Sequence, residues 1–464
     1  MKTLKLKEIL LFLEGRLVSG NESQLIKNAA KYGEHLITDH TLVFVMKNKK
    51  YTPLPTNVSS ITVITSNPDS LTNVPKETAI VQVSNVRKAY FRFIRYYRQL
   101  FNLPVIGVTG TCGKTTTKEM ISWILSNKQN VVSTLISHNG LRRNLDYLLE
   151  IDDTTDSAVF EMGVSGPDQL LYSAHYFQPQ IGIITTIGTD HTEGFRTQEL
   201  YIKEKVKMLS AVGQRGTIIL NYDDKNIRNI DVSQFKGTVI YYGTTEAAHI
   251  QAHTIKFNLE RAGMDFLFVC REGKYPCFVP GFGTHNVYNA LAAIIASTLA
   301  GVKLTDAIQR MQAFKHVKSH LQFHKGIKGS LIIDDTWNTN PTSIESALEV
   351  LKETSQGRKK IAVIGEIEEL GDYSFSEHEK VGSLVVENKV DVLITVGKNT
   401  LPACKKAAEL GMNPSAIHNV TNKKELYNLL NTMANEHTSI LLKTSMRKSF
   451  QDLMDILINR SKKG

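Results

Sequence analysis

The stretch Val105-Ile-Gly-Val-Thr-Gly-Thr-Cys-Gly-Lys-Thr-Thr-Thr117 carries the residue types that hold phosphate. Gly110 and Gly113 let backbone N–H groups approach an anion, and the N-terminus of the helix patterned at Glu119–Leu125, after Lys114 and three threonines, adds its partial positive charge. Lys114 can reach the β/γ-phosphates of a nucleotide, and the Thr115 hydroxyl suits Mg²⁺. Thr109, Gly110, Thr111, Cys112, Gly113, Lys114, Thr115 and Thr116 are therefore the expected nucleotide cradle. One departure stands out. The common pattern G-x-x-x-x-G-K-[ST] has its first glycine where this chain has Val108, and the glycines here lie at 107 and 110. An ordinary glycine-rich turn is the plain alternative. Strand, loop, Lys-Thr and helix nevertheless follow in the order a phosphate site requires.

Other candidate chemistry lies just past predicted strands, where ligands gather in parallel sheets. Glu161 ends Ala158-Val-Phe-Glu-Met-Gly163 and offers a hard carboxylate oxygen to a Mg²⁺ shared with phosphates. His191, in Thr189-Asp190-His191, follows the strand Ile181–Thr186. The four cysteines (112, 270, 277 and 404) form no C-x-x-C pair, so free thiols in a reducing cytoplasm are expected. Cys112 sits in the phosphate loop, where a cationic setting is expected to lower its pKa and make it alkylable.

The elements that must position these groups alternate along 464 residues, too many for one ordinary domain. Residues 1–102 read as a small N-terminal α/β substrate-binding domain. It has a helix over Leu4–Leu17, strands at Leu42–Met46, Ile61–Thr65 and Ala79–Val83, and a basic aromatic helix from Val86 to Phe101. That helix is expected to pack its aromatics on a neighbouring domain rather than on a membrane surface. Residues 103–318 read as a central ATP-binding domain, a mostly parallel sheet with helices on both faces, with strands at Ala158–Gly163, Ile181–Thr186 and Thr217–Asn221. A β-rich excursion near 237–282 precedes a helix from Asn286. Residues 319–464 read as a C-terminal Rossmann-like α/β domain, with strands at Leu331–Asp334, Ile361–Ile364, Val392–Val396 and Ser439–Leu442.

The net charge of +10 is uneven, since residues 1–100 hold fifteen Lys/Arg against seven Asp/Glu. Such a surface attracts anions, but no nucleic-acid recognition motif accompanies it. No apolar run approaches the roughly 20 residues of a membrane span, and the N-terminus lacks a signal-peptide pattern.

Taken together, eight segments resemble the Mur ligases, most closely their MurF type. They are Thr109-Gly-Thr-Cys-Gly-Lys-Thr115, Val159-Phe-Glu-Met-Gly163, His191-Thr-Glu-Gly-Phe195, Lys203-Glu-Lys-Val-Lys207, Asn221-Tyr-Asp-Asp224, Gly283-Thr-His-Asn-Val-Tyr-Asn-Ala290, Asp334-Asp-Thr-Trp-Asn-Thr-Asn-Pro341 and Gly365-Glu-Ile-Glu-Glu-Leu-Gly371. The resemblance covers roughly 104–400. It implies an ATP-dependent carboxylate–amine ligase that works through an acyl phosphate, with Lys114, Glu161, His191 and Lys205 catalytic. It implies two Mg²⁺ ions on Thr115, Glu161, His191 and Lys205. Lys205, fourteen residues after His191, stands where the family carries a lysine carbamylated by CO₂; a solvated helical face is the plain alternative for Lys203, Lys205 and Lys207. Asn221, His285, Asn286, Asn289, His320, Asp335 and Asn338 match nucleotide-side positions, although Asx-turn chemistry would also explain Asp335 and Asn338. The implied partners are a small-molecule carboxylate, of which the UDP-muramoyl peptides are the family's example, and an amino acid or dipeptide. A cytoplasmic monomer in cell-wall precursor synthesis follows from the same resemblance.

The departures gather where substrates bind. Residues 1–100 show neither the family's Asp-Ser-Arg element nor its Asp-Gly-His turn. The family's Asn-Asn-x-Ile-Gly-x-Pro reads Asn139-Gly-Leu-Arg-Arg-Asn-Leu145, its Gly-Arg at the start of the third domain reads Ser319-His320, and its Lys-Gly-Ser-Arg reads Lys443-Thr-Ser-Met446. A Mur-like ligase of another acid and amine, and a non-catalytic nucleotide-binding homologue, are the competing expectations. Intact Lys114, Glu161, His191 and Lys205 argue against the second.

Overall fold

The computed structural model describes residues 1–33, 37–47, 50–140, 144–190, 192–315, 319–445 and 450–458. The chain forms two compact units, the first from residues 1–105, 128–160 and 172–179, the second from 106–127, 161–171 and 180–464.

In the first unit a five-stranded sheet runs in the order Arg16–Ser19, Glu77–Gln82, Ser60–Thr65, Thr41–Phe44, Asn28–Lys31. The Arg16–Ser19 edge is antiparallel and the other pairings are parallel. Val43, Val45, Leu54, Val58, Ile61 and Val63 form one of its cores. The first helix is shorter than its periodicity predicts. It spans Leu6–Leu13 and stops at Glu14, whose φ of 51° is left-handed. Gly15 then passes so close to the sheet that a Cβ would lie 2.4 Å from Val81 Cγ1, and the chain continues as a strand. The basic aromatic helix spans Val86–Gln99 behind an Asn85 cap that accepts from the Lys88 N–H. Its Tyr90, Phe93, Ile94 and Tyr97 are buried in its own unit, and Tyr90 and Phe93 ring-pack with Phe44. Arg98, 2% exposed, donates to the carbonyls of Phe177 and Phe101, and burial lowers its pKa.

The second unit holds two sheets. In one, Val105–Thr109, Ile181–Ile184, Thr217–Asn221, Thr238–Gly243 and Ile250–Asn258 are successive parallel neighbours. An antiparallel meander through Gly263–Cys270 and Gly273–Pro280 completes the β-rich excursion. The phosphate-loop strand is buried along its whole length and reads as a near-continuous apolar run, as strands buried on both faces do. The other sheet runs Gln322–Lys325, Leu331–Asp335, Thr438–Lys443, Lys359–Gly365, Val392–Val396, Ile417–Val420, parallel except for its first strand. Helices Pro341–Thr354, Ser374–Glu387, Leu401–Glu409 and Lys423–Met433 alternate with its strands, the crossover pattern a parallel sheet requires. Among the described residues no helix is long and apolar enough to cross a membrane.

Candidate active site

The phosphate loop runs from the strand Val105–Thr109 into the helix Lys114–Leu125, and Gly110 and Gly113 take φ of 148° and 81°. A Cβ on Gly110 would fall 2.0 Å from Thr185 Oγ1, and one on Gly113 would fall 2.4 Å from Asn289 Oδ1. Glycine is needed at both places for space as well as for backbone conformation. The loop is held from the neighbouring strand's end. Thr111 N donates to the Thr186 carbonyl (2.8 Å), Cys112 N to Thr186 Oγ1 (3.0 Å), and Thr185 Oγ1 to the Cys112 carbonyl (2.5 Å). Lys114 Nζ donates to the Thr111 carbonyl at 2.8 Å, folding over the loop it closes.

Thr115 Oγ1 donates to Glu161 Oε2 at 2.8 Å, and Glu161 is 1% exposed. This pairs a hydroxyl and a carboxylate beside the phosphate cradle. Among the described residues no group of three or more His, Cys, Asp and Glu forms a metal cage. A Mg²⁺ that shares its shell with phosphates needs only one or two protein oxygens, so the Thr115–Glu161 pair fits such an ion.

Lys205, on the helix Gln198–Val206, is not on a solvated face as the plain alternative had it. It is 1% exposed, its Nζ lies 3.4 Å from Thr109 Oγ1, and the Tyr201 ring is 5.0 Å away. Burial and then the Lys114 charge push its pKa well below the ordinary value. Tyr201 is buried too, and its hydroxyl lies 3.0 Å from Thr111 Oγ1. Glu204, on the same helix, turns away and accepts from the Asp168 and Leu170 N–H groups. His191 lies outside the described residues, as do Arg142 and Arg143, Met446 and Arg447.

The other expected nucleotide-side residues fall in five places. Asn289 accepts from Thr117 Oγ1 (3.2 Å) and abuts the loop at Gly113. Asn221 donates to the Thr185 carbonyl (3.3 Å), tying two strand ends together. His285 and Asn286 lie in the first turn of the helix Thr284–Leu299, where Asn286 Nδ2 donates to the Phe282 carbonyl. Asp335 pairs with Lys443 at 2.8 Å, both nearly buried, and the same ammonium donates to the Asn338 carbonyl at 2.6 Å. The Asn338 side chain is exposed. His320 stacks on Trp337 with centroids 5.7 Å apart.

The expectation for Cys112 is overturned. Its thiol is half-buried and donates to Asn340 Oδ1 at 3.2 Å, and desolvation pushes its pKa up to about 11 even though Lys114 pulls it down. Desolvation of the thiolate outweighs the cationic neighbour. All four cysteines are free thiols.

Several participants went unread in the sequence. Thr185 and Thr186, the two positions just past an apolar strand, are signalled by their place at a strand end. The contacts of Tyr201 and Asn340 to the phosphate loop carry no local signal, because their partners there are 90 and 228 residues away.

The chain is similar to proteins of one known family along most of its length. The Mur ligase middle domain matches residues 108–297, and the Mur ligase, glutamate ligase domain matches 321–446. A UDP-N-acetylmuramoyl-tripeptide–D-alanyl-D-alanine ligase of Synechocystis sp. is 30% identical over 75% of this chain and 73% of its own length. The enzyme of that name from Bacillus subtilis is 29% identical over 84% of this chain and 83% of its own. A crystal structure of MurF from Acinetobacter baumannii superposes with a TM-score of 0.83 at 25% identity, over 99% of this chain and all of the other. On these grounds the chain belongs to the Mur ligase family of ATP-dependent ligases and is of the MurF type.

Proposed function

We propose that this protein joins D-alanyl-D-alanine to the free carboxylate of UDP-N-acetylmuramoyl-tripeptide while ATP becomes ADP and phosphate. The observation that carries the reading is the Lys114, Thr115 and Glu161 arrangement at the phosphate loop, in a chain similar to enzymes of that name along most of its length. On this reading the chain divides into domains at 1–102, 103–318 and 319–464 and works as a cytoplasmic monomer.

The steps follow from the side chains. Nucleotide phosphates displace the Thr111 carbonyl from Lys114 Nζ, and the ammonium then neutralises charge on the transferring group. Backbone N–H groups of the loop do the same from the other side. The substrate carboxylate attacks the γ-phosphorus, the bond to the ADP oxygen breaks, and an acyl phosphate forms. The dipeptide amine attacks the acyl carbon, loses a proton, and expels phosphate as the amide bond closes. Thr115 and Glu161 would hold one Mg²⁺, which supplies charge neutralisation to the phosphates when bound. Holding both substrates beside ATP removes much of the entropic part of the barrier.

Burial of Lys205 supports reading it as a lysine that is carbamylated by CO₂. Only a neutral amine attacks CO₂, and burial beside Lys114 favours the neutral form. Formation of the N–C bond to CO₂ releases a proton and leaves an anionic oxygen donor in place of a neutral amine, which with His191 would suit a second Mg²⁺. Asn221, His285, Asn286, Asn289, His320, Asp335 and Asn338 would line the nucleotide.

The test is ADP release with Mg-ATP, bicarbonate and UDP-N-acetylmuramoyl-tripeptide, with and without D-alanyl-D-alanine. Turnover that requires both substrates is expected. ATP binding without it, followed by turnover with another acid and amine from a panel, would assign the altered ends to a different substrate pair.

A further inference from the structure

The loop Gly365–Gly371 leaves the C-terminal end of the strand Lys359–Gly365, the sheet edge where ligands gather. It is tied down residue by residue. Glu366 Oε1 accepts from the Asn399 N–H (3.1 Å), Ile367 N donates to His378 Nε2 (3.2 Å), and Ser445 Oγ donates to Glu368 Oε2 (3.5 Å). The Glu369 carbonyl accepts from Glu193 N at 3.1 Å. That last bond reaches the helix Thr192–Phe195, which opens one residue after His191. Gly371, at φ 52°, follows so closely that a Cβ there would start 3.6 Å from Glu193 Cα.

His378 is 0% exposed on the helix Ser374–Glu387. Its Nδ1 lies 2.7 Å from the Ser374 carbonyl, and its Nε2 faces the Ile367 N–H. A carbonyl only accepts and a backbone N–H only donates, so Nδ1 carries the proton and Nε2 is bare. Burial lowers the pKa of the ring, in keeping with the neutral form these bonds require. An apolar residue would fill the same volume but would strand the Ile367 N–H in the interior, at a cost histidine avoids.

We infer that His378 is a positioning residue of the ligase reaction. Through Ile367 it holds the Gly365–Gly371 loop so that Glu369 meets Glu193, which sets the segment after His191 in place for phosphoryl transfer. The inference rests on the ligase reading for its catalytic consequence and on geometry alone for the anchoring.

Two substitutions in the full-length protein separate the two bonds. His378→Gln puts an amide oxygen near the position of Nε2 and keeps the acceptor for Ile367. His378→Asn puts an amide nitrogen near Nδ1, keeps the bond to Ser374 and loses Ile367. Both remove the ring, so a purely structural role predicts that they behave alike. In His378→Asn, hydrogen exchange over 192–195 and 365–371 is expected to quicken and kcat to fall, each about tenfold, the upper scale of one lost hydrogen bond, with KM for ATP within about twofold. His378→Gln is expected to stay near wild type in both. Equal behaviour of the two variants would overturn the inference, as would wild-type exchange in His378→Asn. A third measurement needs no variant: ¹⁵N-histidine spectra of the wild type should show a neutral ring protonated at Nδ1, and the opposite tautomer would also overturn it. A wild type without turnover would sink the ligase reading while leaving the exchange result to decide the anchoring.

Discussion

The Cys112 thiol of the phosphate loop donates to Asn340 Oδ1 at 3.2 Å, joining two residues 228 positions apart. The same Asn340 oxygen accepts from Ser343 N at 2.9 Å and caps the helix Pro341–Thr354, and Ser343 Oγ returns the favour by accepting from Asn340 N. One buried side chain therefore serves both the nucleotide loop and the start of the helix that follows Asp335 and Asn338. A thiol near pKa 11 is almost wholly protonated at pH 8. Cys112 should thus react with iodoacetamide about a hundredfold more slowly than an ordinary exposed thiol. Peptide mapping of the time course checks this, and labelling of Cys112 as fast as a free thiol would contradict the geometry.

The cap itself has a measurable value. Asn340→Ala removes the acceptor for Ser343 N and should destabilise the second unit by about 1 kcal/mol, the usual scale of a lost N-cap. Asn340→Asp keeps an oxygen in place and should restore most of that loss. Thermal denaturation of both variants decides it, since an equal loss in both would leave the cap without a role.

Gly113 predicts a loss of a different kind. Alanine there must hold φ near 81° and place its Cβ 2.4 Å from Asn289 Oδ1. Left-handed alanine alone costs about 1–2 kcal/mol, and the clash adds to it by pushing Asn289 off Thr117. Gly113→Ala should weaken ATP binding at least about tenfold by titration calorimetry. The distant strand Val392–Val396 should be untouched, so the fold should persist by circular dichroism.

Much of this architecture was legible because it is local. The strands Thr217–Asn221 and Val392–Val396 begin and end where their apolar runs do, and the helix patterned over Glu119–Leu125 is present but starts a full turn earlier, at Lys114. The N-terminal helix was overextended because Leu4 to Leu17 keeps a helical period. The sheet nevertheless claims Arg16–Ser19, and Gly15 is pressed against Val81. The site divides the same way. The loop, Thr115 and Glu161 announce themselves by type and position after strands. The burial of Lys205 against Tyr201 and the Asn340 contact to Cys112 are set by packing over long separations, which no local pattern encodes.

The Asp335–Lys443 pair is a case where one partner was read and the other was noticed only as a broken motif. Lys443 is 2% exposed and bonded to both Asp335 Oδ2 and the Asn338 carbonyl. Lys443→Met leaves a buried carboxylate without its cation and should cost about 3–5 kcal/mol. Adding Asp335→Leu should recover part of that loss, because the uncompensated charge is gone. Urea denaturation of the single and double variants checks the sign of the coupling, and strictly additive losses would mean the pair contributes nothing jointly.

Lys205 yields the most discriminating prediction, since its neutral amine costs stability and serves chemistry at once. Its folded pKa lies well below the ordinary 10.5, through burial first and Lys114 second. Between those two values the unfolded chain binds a proton that the folded chain does not, so stability rises with pH across that window. Below the folded pKa both states are protonated and the slope vanishes, with the burial penalty fully expressed. In CO₂-free buffer, wild-type stability should therefore climb as pH rises toward 10, net of the other titrating groups. Lys205→Met should lack that climb and be the more stable protein at pH 7. The same variant should lose turnover by a hundredfold or more, the scale of removing one preorganised charge-stabilising group. Wild type supplied with ¹³C-bicarbonate should show a carbamate carbon resonance that Lys205→Met lacks. A Met variant with the wild-type pH slope would remove the buried amine from the account, and full turnover in that variant would remove Lys205 from the chemistry.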